Sequence, residues 1–280
     1  IALTKPRVNL LIIFTAIVGM LLAQDFNLNY SLMMYASIGI YLAASAAAVI
    51  NHIVDQKIDA IMDRTKGRPL IKGNVTTNDA IYFSVLISSI STYILFEYVN
   101  TITTILTLFS IIVYSIIYSV YLKNLTSQNI VIGGIAGAMP PLLGWTAITN
   151  GVSELPLLLF LIIFLWTPPH SWALAIYRMD DYSNADVPMY PIKYGIKKTI
   201  TLMNLYTALM VISVNLLFFL GYANLVFFIS ANILNIIFIL KLIKVNKSKN
   251  LKVDSIKLFG FSIVYLFLIF LFTVVDKFLL

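Results

Sequence analysis

Nine apolar runs, each bounded by charged or turn-forming residues, succeed one another along the chain at approximately 8–24, 31–50, 79–99, 101–121, 130–149, 155–176, 200–220, 223–242 and 257–276. A helix of about 20 apolar residues crosses roughly 30 Å of hydrocarbon, and only helices or closed barrels can satisfy their backbone there. The runs therefore predict an all-α membrane protein, a bundle of nine transmembrane helices. Composition agrees: 60% of the 280 residues are hydrophobic and 11% charged, against roughly 45–50% and 25% in soluble domains. A cytosolic enzyme, a secreted module and a disordered chain are excluded. With zero Cys, disulfides, thiolate metal sites and cysteine nucleophiles are excluded too. The run near Val8 follows Lys5 and Arg7 without a small-residue cleavage site, so a retained first helix is expected.

Charge tests the span count. With the N-terminus inside, 18 of the 19 Lys and Arg fall in loops on one side, leaving only Lys277 opposite. The positive-inside rule assigns the N-terminus and those loops to the cytoplasmic face, where a central cavity is expected to open. The net charge of +7 is read as this asymmetry and not as a nucleic-acid surface. Six lysines from Lys241 to Lys257 mark a cytoplasmic loop near anionic lipid. The prolines at 140–141 and 168–169 are expected to kink spans five and six, freeing backbone groups to line a cavity. Two long loops, 51–78 and 177–199, hold half of the 12 acids and lie four spans apart. This suggests a parallel repeat of spans 1–4 and 5–8 inside one domain covering 1–280, whereas transporters usually carry inverted repeats.

The first loop reads Asn51-x-x-x-Asp55-x-x-x-Asp59. Each i,i+4 step drifts by about 40°, so the three side chains share roughly 80° of one helix face. Oxygen donors without Cys suit a hard cation such as Mg²⁺. Arg64, Lys66 and Arg68 follow at once, and guanidinium groups beside metal-binding carboxylates form a site for a diphosphate. In the second loop, Arg178, Asp180 and Asp181, with Lys193 nearby, offer a second metal-binding edge. His52 should point about 100° away from Asn51 and is expected to pack. Gly133, Gly134 and Gly137 follow no strand and read as helix packing, not as a nucleotide loop.

These motifs resemble the UbiA-like intramembrane prenyltransferases, and within them the branch that farnesylates haem. N-x-x-x-D-x-x-x-D followed by Met62-x-Arg64-Thr65-x-x-Arg68-Pro69 carries the resemblance. Leu3 to Arg7, Tyr118 to Lys123, Gln128 to Gly134, Ala136 to Pro141, Pro169-His170, Asp181-Tyr182 and Val187-Pro188-Met189 extend it over nearly the whole chain. The resemblance implies transfer of farnesyl from farnesyl diphosphate to a vinyl group of haem b, in a bacterial inner membrane, with Mg²⁺ as cofactor. It implies Asn51, Asp55, Asp59 and Asp181 at the metal, with Lys123 beside them. Arg64, Lys66, Arg68, Tyr118, Arg178, Asp180 and Lys193 would contact substrate, and His170 would hold haem, at iron. A downstream haem-modifying enzyme or oxidase assembly factor would take the product. The second loop has no i,i+4 acid pair: only Asp181 matches the family's D-Y, while Asp63, Asp180 and Asp186 fall where it varies. A quinone-precursor acceptor would need the same first motif without the Pro169-His170 context, and a transporter would want acids near mid-membrane.

Overall fold

The computed structural model describes residues 2–24 and 27–279, which are helical without strands. We label the long helices α1 (Pro6–Leu22), α2 (Tyr30–Val54), α3 (Thr77–Tyr98), α4 (Thr101–Leu125), α5 (Asn129–Thr149), α6 (Glu154–Tyr177), α7 (Ile196–Phe219), α8 (Leu225–Asn246) and α9 (Leu251–Leu279). The eight from α2 to α9 are long and apolar enough to cross a membrane, whereas α1 has 17 residues. At 1.5 Å per residue α1 reaches roughly 25 Å, near the lower limit for a span.

Helix ends depart from the hydropathy boundaries where polar residues extend a helix beyond its apolar run. The second helix continues to Val54 and so carries Asn51. The last begins at Leu251, six residues ahead of its apolar run, because Asp254 in its first turn accepts from the Ser248 hydroxyl and suits the helix dipole. Lys241, Lys244, Lys252 and Lys257 consequently lie on helices α8 and α9, not in a loop. Of the proline pairs, Pro140-Pro141 breaks α5 at Met139, while α6 runs helically through Pro168 and Pro169.

Small residues set the tightest crossing. A Cβ on Gly144 would run into the Ala16 carbonyl oxygen, and one on Gly19 into that of Pro141. Helices α1 and α5 therefore meet backbone to backbone, as small residues permit in membranes. Elsewhere α2 packs on α3, and α6 lies against α7 and α9. A core of Trp166, Trp172, Met210, Phe238, Tyr265 and Phe270 fills the space among α6–α9.

At the end remote from the acidic loops, α9 grips two other helices. Asp276 accepts from the backbone N–H of Asn224 at 2.6 Å and of Phe227 at 3.0 Å, the N-terminus of α8. Lys277 donates to the Leu22 carbonyl at 2.9 Å, the C-terminus of α1. Each charge meets the helix end of opposite partial charge, which gives the one lysine outside the basic face a structural task.

Candidate active site

Asp55 sits where α2 stops and a short helix, Gln56–Ile61, begins. Hydrogen bonds from Asp55 N to Asn51 O and from Asp59 N to Asp55 O, at 3.0 and 2.8 Å, keep the four-residue rhythm across the break. Asn51, Asp55 and Asp59 thus stay together, and all three are buried. Buried carboxylates need partners, and each has one. Lys123 donates to Asp55 Oδ2 at 2.6 Å, as does Asn51 Nδ2 at 2.8 Å, while Arg68 pairs with Asp59. Thr65, hydrogen-bonded to the Asp59 carbonyl at 3.1 Å, turns the chain back so that Arg68 can reach.

Lys123 arrives by an unusual winding. From Val113 to Leu122, α4 is π-helical, with the Ser119 hydroxyl on the Tyr114 carbonyl at 2.8 Å and the Lys123 N–H on that of Tyr118. Such winding is rare and concentrates at functional sites. It also brings the Ser119 hydroxyl to Asn51 Nδ2 at 3.2 Å. Tyr118 stacks on Tyr114 with ring centroids 5.7 Å apart and lies where a Cβ on Gly133 would be. Gly133 and Gly134 are packing residues, as expected, with Gly134 against Thr167.

Below this cluster is a cavity of about 560 Å³, within the range of small-molecule sites. Ala43, Ala44, Ala47 and Ala48 of α2 form one wall, and Tyr114, Trp166, His170 and Phe259 contribute rings. Lys5 belongs to both cavity and cluster: it lines the cavity and donates to Asn51 Oδ1 at 2.6 Å. Its backbone is left-handed, φ 48°, a conformation that costs a non-glycine residue about 1–2 kcal/mol. Burial, reinforced by the Arg68 charge, pulls the Lys5 ammonium down to about 8.

The second loop is arranged differently. Asp181 pairs with Arg178 at 3.2 Å, and exposed Asp180 with Lys252 at 2.6 Å. Among the described residues no three His or acidic side chains gather closely enough for a metal, so Asp55, Asp59 and Asp181 do not form such a group. The loops meet instead through apolar contacts of Met62 and Ile58 with Tyr182, Ala185, Val187 and Met189. Burial pushes the Tyr182 phenol above its ordinary value, opposed by the Arg64 and Arg178 charges. Arg64 and Lys193 are exposed, as is Lys66, which pairs with Asp63 at 2.6 Å. His52 is buried with neither ring nitrogen partnered.

Residues 12–274 match the model of the UbiA prenyltransferase family. The chain belongs to the UbiA prenyltransferase family. Among UbiA relatives, the protoheme IX farnesyltransferase of Alcanivorax borkumensis is 47% identical, covering 100% of this chain and 92% of its own. That of Legionella pneumophila is 45% identical over 99% and 94%. A solved digeranylgeranylglyceryl phosphate synthase shares the fold at TM-score 0.83 and 22% identity, covering 100% of this chain and 97% of its own. A UbiA homologue from Archaeoglobus fulgidus bound to GPP and Mg²⁺ does so at 0.69 and 16%, covering 96% and 98%. The chain is thus a multi-pass membrane prenyltransferase.

The first-loop residues of this UbiA protein fit a hard cation. Asp55 Oδ2 is taken by Lys123 and Asn51, but Asp55 Oδ1 is buried without any partner, a cost that a cation would relieve. The sequence reading missed Lys5 as a site residue, although it noticed the Leu3–Arg7 match. It also missed Ser119, and no residue type announces the π-winding that delivers it.

Proposed function

We propose that this prenyltransferase transfers a farnesyl group from farnesyl diphosphate to the terminal vinyl carbon of haem b, releasing diphosphate, and that water then adds to the carbocation left on the neighbouring vinyl carbon and loses a proton to give the hydroxyl of haem O. The observation that carries this reading is the buried Asp55, with one oxygen neutralised and one unpartnered, beside a largely apolar chamber that also holds a histidine. The names of the relatives that match over the whole chain support haem as acceptor. Asn51, Asp55 and Asp59 would hold Mg²⁺, and Asp181 would close the site from the second loop. Magnesium, when bound, supplies a Lewis acid that screens diphosphate charge.

The chain's own residues do the rest. Lys123, Arg68 and Lys5, already converged on the acidic cluster, neutralise charge that develops on the departing diphosphate oxygens. Arg64 and Arg178 complete that cationic rim, while exposed Lys66 and Lys193 steer the anionic headgroup. The alanine wall and the rings of Tyr114 and Trp166 keep water from the allylic carbon until the vinyl group has attacked, and ring faces favour positive charge. Tyr118 packs beneath the diphosphate, and His170 holds haem at its iron. The cation distribution supports a cytoplasmic site, N-terminus inside, with α1 as a ninth span. The bacterial sources of the relatives support a bacterial inner membrane.

The test is mass spectrometry of haem extracted after purified protein is incubated with haem b, farnesyl diphosphate and Mg²⁺. Hydroxyethylfarnesyl haem is the expected product. Prenylation of a quinone precursor in place of haem would overturn the acceptor and keep the metal site.

A further inference from the structure

Residue 262 of α9 holds two rings of α6 at once. Its backbone carbonyl accepts from Trp166 Nε1 at 2.9 Å, and its side-chain oxygen lies 2.6 Å from His170 Nδ1. The same hydroxyl donates to the Phe259 carbonyl oxygen at 2.6 Å. A serine hydroxyl has one hydrogen, and a carbonyl oxygen can only accept. With that hydrogen committed to Phe259, Ser262 Oγ meets the imidazole as an acceptor. His170 therefore carries its proton on Nδ1 and keeps a lone pair on Nε2. Both imidazole faces are covered, by Trp166 at 4.1 Å and Phe259 at 4.5 Å between ring centroids. The edge away from Ser262 is what His170 offers to the cavity it lines.

We propose that Ser262 is a positioning residue that fixes the Nδ1–H tautomer of His170 and so presents Nε2 to the iron of a porphyrin substrate in the cavity. The inference rests on haem b as acceptor and His170 as its ligand. A hydrogen bond on the far nitrogen sets the tautomer, orients the ring and raises the basicity of the ligating nitrogen. Ser262 supplies it from α9, 92 residues away in sequence.

Ser262→Ala removes the acceptor for Nδ1–H, together with the hydroxyl's bond to the Phe259 carbonyl, yet leaves the backbone carbonyl that holds Trp166. Purified protein is titrated with ferric haem b, following the Soret band and the haem electron paramagnetic resonance signal. A histidine-ligated spectrum is expected from the unaltered protein, and its loss in His170→Ala. Ser262→Ala is expected to bind haem roughly tenfold or more weakly with unchanged affinity for farnesyl diphosphate. Ser262→Thr, whose hydroxyl can bond the same helical carbonyl, restores the spectrum. If His170→Ala loses the signal but Ser262→Ala matches the unaltered protein, the role of Ser262 is overturned and the haem reading stands. A His170→Ala protein that keeps the full spectrum overturns both. Should Ser262→Ala also lose farnesyl diphosphate, the threonine variant decides: failure to restore haem ligation overturns the proposal.

Discussion

The two long loops carry three acids each and differ in how they hold their charges. In the first, Asp55 and Asp59 are each only 4% exposed and meet cations brought by separate segments, Lys123 from α4 and Arg68 from beyond the turn. In the second, Asp180 is 73% exposed, and Asp181 is satisfied three residues away by Arg178. Desolvated charges hold together only if every partner is in place, whereas surface pairs are worth little. The difference teaches that the first loop carries the preorganised chemistry, while the second is a cover joined to it by Met62, Tyr182 and Val187.

Removing one partner should separate the loops most sharply. Lys123→Ala leaves a buried, unpaired carboxylate and should cost about 3–5 kcal/mol in unfolding in detergent. Arg178→Ala should cost less than about 1 kcal/mol; equal losses would erase the distinction. Asp55→Asn keeps the volume and should lower prenyl transfer about 10²–10³-fold, the loss typical of one electrostatic contact to a transition state. An unchanged rate in purified enzyme would remove the metal-site reading.

Lys5 sharpens the comparison through pH. Its ammonium, pulled down to about 8 by burial, is charged below that value and neutral above it. Affinity for farnesyl diphosphate should therefore fall as pH rises through about 8, and Lys5→Gln should flatten that dependence in a titration with the diphosphate. At the small end, Lys252→Ala breaks the exposed pair with Asp180 and should move neither the melting temperature nor the KM measurably; a tenfold change in KM would promote the second loop to chemistry.

The helices were legible because hydrocarbon thickness imposes a length on apolar runs that few other signals disturb. Asn51, Asp55 and Asp59 were legible because their spacing matches a helix repeat that survives the break at Asp55. Lys5 was not, since its partner Asn51 lies 46 residues away and only a left-handed backbone turns it inward. Nor was Ser262: nothing around it in sequence differs from other small residues on membrane helices, and its role depends on the rings of α6. The sequence grouped Asp181 with the first-loop acids, whereas its carboxylate is paired with Arg178 inside its own loop, a contact that spacing alone does not announce.

The π-wound stretch of α4 makes this site a matter of counting as well as of composition. Between Val113 and Leu122 each turn holds an additional residue, so Ser119 and Lys123 reach Asn51 and Asp55 because of how many residues precede them. Deleting one residue there would swing everything downstream by about 100° and carry Lys123 off Asp55, even with every side chain of the site retained. Substitutions along the lipid-facing side of the same stretch leave that count untouched. Divergence on that side should therefore be free in letters, while the segment as a whole is strict in length.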